Sequence, residues 1–188
     1  MFLIYVKRFL HVVIFMFKLR HFVPIESCLS VYYSLFYSRV SYGIISWGSA
    51  SADVVNPIRV QQNRIIRAIL FKPMETRIQS LFYELKLLSI KDLFSYEIAK
   101  HVHKFSSDSL PQCFKEQFSY ISSDRATRSS SRGDLMVLRT KKEVGKKSST
   151  FIDANVWNSI PLETRTLGFQ RFTHSLKAMY IESYDVSD

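Results

Sequence analysis

The side chains that could carry out chemistry in this chain are few, and their spacing does not favour catalysis. His101 and His103 are two residues apart, so on a helix their rings point away from each other and cannot readily share a metal ion. A site that holds two divalent metals for phosphoryl transfer needs neighbouring carboxylates, but the nearest approach to such a pair is Asp185 and Asp188. Cys113 has no base beside it in the sequence. We therefore expect no catalytic residue, no metal ligand and no cofactor in this chain.

The charge of the chain is a stronger indication of function. It has 26 Lys and Arg residues against 16 Asp and Glu residues, a formal net charge of +10. Such a surplus favours a polyanionic partner, either a nucleic acid or an anionic membrane surface, although a fragment that has lost an acidic counterpart would show it too. More than half of the surplus lies in a Ser-rich segment from residue 125 to residue 147. Its basic residues are Arg125, Arg128, Arg132, Arg139, Lys141, Lys142, Lys146 and Lys147.

A second group of cations falls on a predicted helix. Asn56 is suited to be the N-cap of this helix and Pro57 to be its first residue. The apolar spacing predicts a buried stripe of Ile58, Ile65, Ile66, Ile69 and Leu70. The opposite face would expose Arg59, Asn63 and Arg67, with Arg64 close beside them. We expect both groups of cations to bind phosphates through charge, and the alternative for each is a solvated surface that binds nothing.

The periodicity predicts a mainly α-helical fold, because long apolar patterns are frequent and Gly and Pro are scarce at 5 residues each. Thr76, Ser89 and Thr150 have the spacing of capping boxes and predict helix starts. We expect helices over residues 8–22, 25–37, 76–85, 89–105, 111–118, 150–160 and 169–180, and one short β element over residues 135–138. The helix over 25–37 should bury one aromatic face made of Leu29, Tyr32, Tyr33, Phe36 and Tyr37.

This pattern divides the chain into four segments. They are an apolar, basic N-terminal helix (1–21), a helical domain (22–121), a basic Ser-rich loop (122–149) and a C-terminal helical segment (150–188). Lys7, Arg8 and His11 interrupt the first segment, which is too short to span a membrane but could lie at a membrane surface. The presence of only 2 Cys residues suggests a reducing compartment, so we expect an intracellular protein, cytoplasmic or nuclear, that is not secreted.

Several short motifs together resemble one protein family. An aromatic helix that closes on Tyr42-Gly43 and Trp47-Gly48 precedes a basic amphipathic helix with Gln62-Asn63. The other motifs follow in the same order along the chain: Phe17-Lys-Leu-Arg-His-Phe-Val-Pro24, Tyr32-Tyr-Ser-Leu35, Ser89-Ile-Lys-Asp-Leu93, Tyr96-Glu97, Thr127-Arg128 and Trp157-Asn-Ser-Ile-Pro161. In this order they resemble the thumb and post-thumb region of reverse transcriptases from jockey-like non-LTR retrotransposons.

The resemblance implies a thumb-like helical bundle that packs on an RNA–DNA template-primer duplex. It implies no polymerase activity for this chain alone, because the palm of the family, with its Mg²⁺, is absent from the sequence. The expected partners are RNA or an RNA–DNA hybrid and, beyond these, the missing polymerase palm. Structural roles around turns and helix ends are expected for Tyr42, Gly43, Trp47, Gly48, Trp157 and Pro161. The alternatives are a basic helical protein on a membrane surface and a transposon relic without a function.

Overall fold

The computed structural model describes residues 2–111, 118–121, 132–137, 145 and 148–185, with side chains from residue 9 onward. The chain is mainly α-helical, which confirms the predicted fold class. The helices are α1 (Phe2–Leu19), α2 (Ile25–Val31), a π-helical segment (Tyr32–Tyr37), α3 (Ser38–Ser41), α4 (Ile44–Trp47), α5 (Ala52–Ile69), α6 (Ile78–Leu85), α7 (Ile90–Ser106), α8 (Ser149–Ser159), α9 (Leu162–Arg165) and α10 (Phe169–Glu182). The predicted helix over residues 111–118 lies mostly outside the described residues.

The helices form two compact units. Unit 1 contains the chain up to Leu93 together with the chain from Met179 onward, and unit 2 runs from Phe94 to Ala178. Both boundaries fall inside helices, α7 and α10. The four-segment division expected from the sequence rests on composition and stays a prediction.

The core of unit 1 is built where α1 packs along α5. Helix α1 buries Val12 and Met16, and α5 buries Ile65 and Ile66, all at 5% exposure or less. Burial of apolar area of this kind is the main source of stability in a small helical unit. At the far end, Arg20 lies over the ring of Phe17 at 4.8 Å and over that of Phe71 at 4.4 Å, and it donates to the Ala68 carbonyl. The guanidinium therefore satisfies one of the last carbonyls of α5.

The aromatic helix that the sequence predicts runs further than expected and has a different buried face. Cys28, Tyr32, Phe36 and Val40 are buried at four-residue spacing, whereas Tyr33 is 39% exposed. The difference arises in the π-helical segment, where the Ser38 amide donates to the Tyr33 carbonyl five residues earlier. These wider turns carry the four-residue stripe along one side of the helix. The prediction of one face that included Leu29, Tyr33 and Tyr37 was therefore wrong, while Tyr32 and Phe36 are confirmed as core residues.

Helix α5 begins earlier than the sequence suggested. Its first residue is Ala52, so Pro57 lies inside the helix and Asn56 is not the N-cap. The amides of Val54 and Val55 already donate to the Ser51 carbonyl at 2.9 and 3.2 Å, and Asp53 lies in the positively polarised first turn. These interactions offset the backbone hydrogen bond that proline cannot donate. The predicted buried stripe is confirmed at Ile58, Ile65, Ile66 and Ile69, while Leu70 is only partly buried.

Of the three helix starts predicted from capping-box spacing, the one at Ser89 is confirmed, with one of the two hydrogen bonds of the box. Ser89 precedes α7, and its hydroxyl oxygen accepts a hydrogen bond from the Asp92 amide at 3.3 Å. Helix α6 instead begins at Ile78 with Arg77 as its N-cap, so Thr76 lies outside the capping position. Helix α8 begins at Ser149, one residue before Thr150. Spacing alone did not identify these two starts, because the backbone enters each helix at a neighbouring residue.

Unit 2 has a core of large side chains from α7, α8 and α10. Val102 and Ile98 of α7 are fully buried, as are Phe172 and Leu176 of α10, and Trp157 of α8 is 3% exposed. Leu135 forms a single antiparallel bridge with Tyr120. The described part of the chain contains no β-strand, so the β element predicted over 135–138 is reduced to this bridge.

Helix α8 also buries a carboxyl group in unit 2. Asp153 is 2% exposed, its Oδ2 has no hydrogen-bond partner among the described residues, and burial raises its pKa to about 7. The folded protein thus favours the protonated acid, and the unfolded chain favours the carboxylate above its ordinary pKa of 3.8. The contribution of this group to stability is complete below that ordinary value and is lost as the pH rises through about 7.

We expect Asp153→Asn to raise the free energy of unfolding by about 2 kcal/mol at pH 8, because the amide carries no charge to bury. At pH 4 the gain should disappear. The measurement is urea unfolding of both proteins at the two pH values, with Glu182→Gln on the exposed end of α10 as the control. A gain of equal size at pH 4 and pH 8 would contradict the assignment to titration of Asp153.

Candidate nucleic-acid interface

Two of the three predicted arginines on α5 are available for a ligand. Arg59 and Arg64 are exposed, and neither guanidinium forms a hydrogen bond or an ion pair with another described residue. Around the helix axis, Arg67 points in a direction between those of Arg59 and Arg64, but the loop after α5 covers it. Its Nη2 donates to the Thr76 carbonyl at 3.1 Å, and its Nε is buried. The exposed position predicted for Arg67 was therefore wrong, because the chain after α5 folds back over it.

The basic Ser-rich segment is described only in part. Arg132 lies within the described residues, and its Nε is 3.9 Å from the Asp134 carboxylate while its Nη2 donates to the Asn158 carbonyl at 3.4 Å. With 40% of its side chain exposed, Arg132 has a structural partner on one side and solvent on the other. The remaining predicted cations of the segment lie outside the described residues: Arg125, Arg128, Arg139, Lys141, Lys142, Lys146 and Lys147.

Residues 132–137 are held to unit 2 by two polar side chains that the sequence did not single out. The Asn158 amide pairs with the backbone of Leu135 in both directions, at 2.9 Å each. Arg165 is 6% exposed and donates to the Asp134 carboxylate at 2.8 Å, the Ile160 carbonyl at 2.7 Å and the Asn158 carbonyl at 2.9 Å. The sequence offered one signal for Arg165. It lies four residues, about one helical turn, after Pro161, which ends a helix.

Two predicted structural residues lie beside this cluster. Trp157 is buried, and the Arg165 guanidinium lies 5.5 Å from its ring centre. Pro161 follows the last residue of α8 closely, as expected for a helix stop, and its carbonyl then accepts from the Arg165 amide at 3.2 Å. These positions agree with the structural roles predicted for both residues.

The turn from α3 into α4 contains the predicted Tyr-Gly motif. Gly43 adopts a left-handed conformation with φ of +67°, which a residue with a Cβ rarely occupies, so its structural role has a clear cause. Gly48 has ordinary right-handed helical angles and no such requirement. Trp47 is partly buried, and its Nε1 donates to the Tyr42 carbonyl at 3.5 Å. Tyr42 itself is 86% exposed. Its side chain therefore does not pack around the turn, which is the role that the sequence suggested for it.

A mainly apolar groove opens next to this turn. Its volume is about 310 Å³. Phe9, Val40 and Ile58 form its buried base, while Tyr42 and Trp47 line its open side. Among the described residues of its lining, Arg39 is the one that carries a charge, and it is exposed. The described lining thus combines aromatic surface with a positive charge.

The structure also reveals a buried polar centre in unit 1. Gln62 is fully buried, and its Nε2 donates to the Tyr32 hydroxyl at 3.0 Å and to the Leu88 carbonyl at 2.9 Å. Its Oε1 accepts from the Ile90 amide at 3.1 Å, one of the first amides of α7 that lack a partner within the helix. Burial raises the pKa of Tyr32 far above its ordinary value, so its hydroxyl stays protonated. Sequence reasoning noted Gln62 only as part of a motif.

The start of α7 has a second support from the end of α10. Tyr184 accepts from the Ser89 amide at 3.1 Å and donates its hydroxyl proton to the Asp92 carboxylate. The Ser89 hydroxyl donates to the same carboxylate. Burial raises the pKa of the Tyr184 hydroxyl, and hydrogen bonding to Asp92 raises it further. Gln62, Ser89 and Tyr184 therefore satisfy the first turn of α7 from three parts of the chain.

The histidines considered for metal binding have separate environments. His103 is 5% exposed, and its Nε2 is 2.8 Å from the Leu167 carbonyl. Its ring packs on Phe172 with ring centres 4.3 Å apart, whereas His101 contacts Phe118. Among the described residues, no three acidic, His or Cys side chains are grouped so that they could hold a metal ion. No described helix is both long enough and apolar enough to cross a membrane.

Comparison with known proteins assigns no family to the chain. No protein-family model matches the sequence, no curated protein matches it, and no solved structure matches the fold.

Proposed function

We propose that this chain is a palm-less, thumb-like fragment of a non-LTR retrotransposon reverse transcriptase that binds nucleic acid through charge. The proposal rests on the order of the short motifs along the sequence and on the mainly helical fold. The expected ligand is an RNA–DNA hybrid or RNA, and the expected compartment is the cytoplasm or the nucleus. The chemical step of DNA synthesis would belong to a separate palm with its Mg²⁺.

The observation that carries the proposal is the pair of exposed cations on α5. Arg59 and Arg64 project from one helix that packs against α1, and neither is neutralised by a described acidic residue. They are about 140° apart around the helix axis, so the helix can contact phosphates on two of its sides. The net charge of +10 would raise the local concentration of any polyanion and speed its association.

The test is binding of the purified chain to a short RNA–DNA hybrid across a series of salt concentrations. We expect affinity to fall steeply with salt, and the double variant Arg59→Ala/Arg64→Ala to reduce the logarithmic slope by about 2, because each lost phosphate contact removes roughly 0.9. Replacing Arg128, Lys141 and Lys142 by Ala should reduce it further. Arg171→Ala on the exposed side of α10 serves as the control. A folded sample that does not bind at low salt would exclude the proposal.

A membrane surface remains the second candidate because α1 exposes apolar side chains. Leu10, Ile14 and Phe17 recur along the helix at 42%, 47% and 42% exposure. Removing residues 1–21 cannot test this idea cleanly, since α1 also supplies Val12 and Met16 to the core. The same salt series is repeated with anionic vesicles in place of the hybrid. If a membrane surface is the partner, Leu10→Glu/Ile14→Glu should weaken binding to the vesicles. Binding to vesicles but not to the hybrid would favour the membrane surface.

A further inference from the structure

We propose that the groove beside the α3–α4 turn is a site for one unpaired nucleotide, with its base against Tyr42 and Trp47 and its phosphate at Arg39. The inference rests on the proposed nucleic-acid function and adds a second kind of contact to it. The cations of α5 would recognise the charge of a duplex backbone, whereas this groove would recognise the flat face of a base that is free of pairing.

The exposure of Tyr42 is the first argument. Its ring is 86% exposed although it borders a groove whose base is made of buried apolar residues. A large aromatic ring at the edge of a groove offers an apolar face on which a base can stack, and such stacking tolerates every base. The left-handed Gly43 fixes the turn that follows Tyr42.

The position of Trp47 is the second argument. Its Nε1 donates back to the Tyr42 carbonyl, so the indole is tied to the same turn. Tyr42 and Trp47 both line the groove. An indole tied to the backbone of the turn is a less mobile surface for stacking than one on a free loop, and this lowers the entropic cost of binding.

The charge of the lining selects among possible occupants. Arg39 lies one helical turn before Tyr42, and its guanidinium has no hydrogen-bond or ion-pair partner among the described residues. A neutral apolar ligand would leave this cation unused, whereas a nucleotide carries an anion beside its aromatic ring. A volume of about 310 Å³ is at the lower end of ligand sites and suits a single base with its sugar.

The chain provides its own fluorescent reporter for a direct test. It has 2 Trp residues, and Trp157 is 3% exposed, so quenching by an added ligand reports mainly on Trp47. The probes are adenosine monophosphate and ribose 5-phosphate, both added at high salt so that binding through charge alone is weak. We expect adenosine monophosphate to quench the fluorescence in a saturable way and ribose 5-phosphate to have little effect.

Substitutions separate the two contacts. We expect Tyr42→Ala to weaken adenosine monophosphate by about tenfold, and Tyr42→Phe to retain most of the affinity. At low salt, Arg39→Gln should weaken the binding of adenosine monophosphate without changing the weaker binding of adenosine. Tyr83→Ala is the matched control, because Tyr83 is 42% exposed on α6 and does not line the groove. Circular dichroism of each variant verifies that it is folded.

Three results would overturn the inference. The first is quenching by ribose 5-phosphate that equals the quenching by adenosine monophosphate. The second is quenching by adenosine monophosphate that is as strong in Tyr42→Ala as in the original chain. The third is quenching by a medium-chain fatty acid when adenosine monophosphate causes none. The outcome of the hybrid experiment does not depend on these results. The bases of the hybrid are paired, and its expected contacts are to Arg59 and Arg64. Binding of the hybrid without a nucleotide response would retain the proposed function and remove only the groove.

Discussion

Replacing Arg165 by methionine should lower the free energy of unfolding by about 3 kcal/mol, because it leaves the buried Asp134 carboxylate with only the longer contact to Arg132 at 3.9 Å. The methionine fills much of the same volume but donates no hydrogen bond. The Ile160 carbonyl loses the donor that Arg165 supplies. The Asp134 carboxylate and the Asn158 carbonyl lose their shorter donor and keep only Arg132, at 3.9 and 3.4 Å. Residues 132–137 would then lose part of their attachment to α8.

The measurement is urea unfolding followed by the fluorescence of Trp157, whose ring lies 5.5 Å from the Arg165 guanidinium. Arg171→Met on the exposed side of α10 is the control and should change stability by less than about 0.5 kcal/mol. The double variant Asp134→Leu/Arg165→Met removes both charges and should recover much of the loss. If the single and double variants lose equal stability, the ion pair is not the cause.

Replacing Gln62 by leucine should lower the free energy of unfolding by about 3 kcal/mol. Leucine has a similar size, so the expected loss comes from hydrogen bonds rather than from a cavity. The Ile90 amide and the Leu88 carbonyl would be left without their partner in the core, and the Tyr32 hydroxyl would lose its donor. An unsatisfied buried polar group costs roughly 1 to 3 kcal/mol.

Thermal unfolding monitored by circular dichroism measures this effect. Gln79→Leu on the exposed side of α6 is the matched control for the same chemical change and should alter stability little. Hydrogen exchange adds a local measurement, because the Ile90 amide should exchange faster in Gln62→Leu than in the original chain. Unchanged protection of that amide would show that another group replaces the glutamine.

Local signals in the sequence predicted several elements of the fold. The spacing of the isoleucines located the buried stripe of α5, and Ser89 identified the start of α7, because each signal depends on nearby residues only. Pro57 misled the prediction for the opposite reason. Proline favours the first turn of a helix but does not require it, and here packing and the hydrogen bonds to the Ser51 carbonyl outweigh that preference.

The polar residues of the core could not be predicted from spacing. Gln62 meets Leu88 and Ile90 from 26 and 28 residues away, and Arg165 meets Asp134 from 31 residues away. A helical pattern marks such residues as exposed, since it carries no information about a distant partner. Arg67 and Tyr42 show the same limit of a local pattern. A loop covers Arg67, which the helical pattern placed on an exposed face, and no packing partner covers Tyr42.

The π-helical segment lets this region hold one residue more than a regular helix with the same buried face. In an α-helix, a four-residue step turns about 40° beyond a full revolution, and the wider π turns take up one extra residue that compensates for this drift. Loss of one residue between Tyr32 and Tyr37 would restore a regular α-helix. Val40 would then follow Cys28 by eleven residues, which is three full turns and about 20°, so the buried stripe would stay on its side of the helix. A lineage with such a deletion would keep both the helix and the orientation of the residues that follow it.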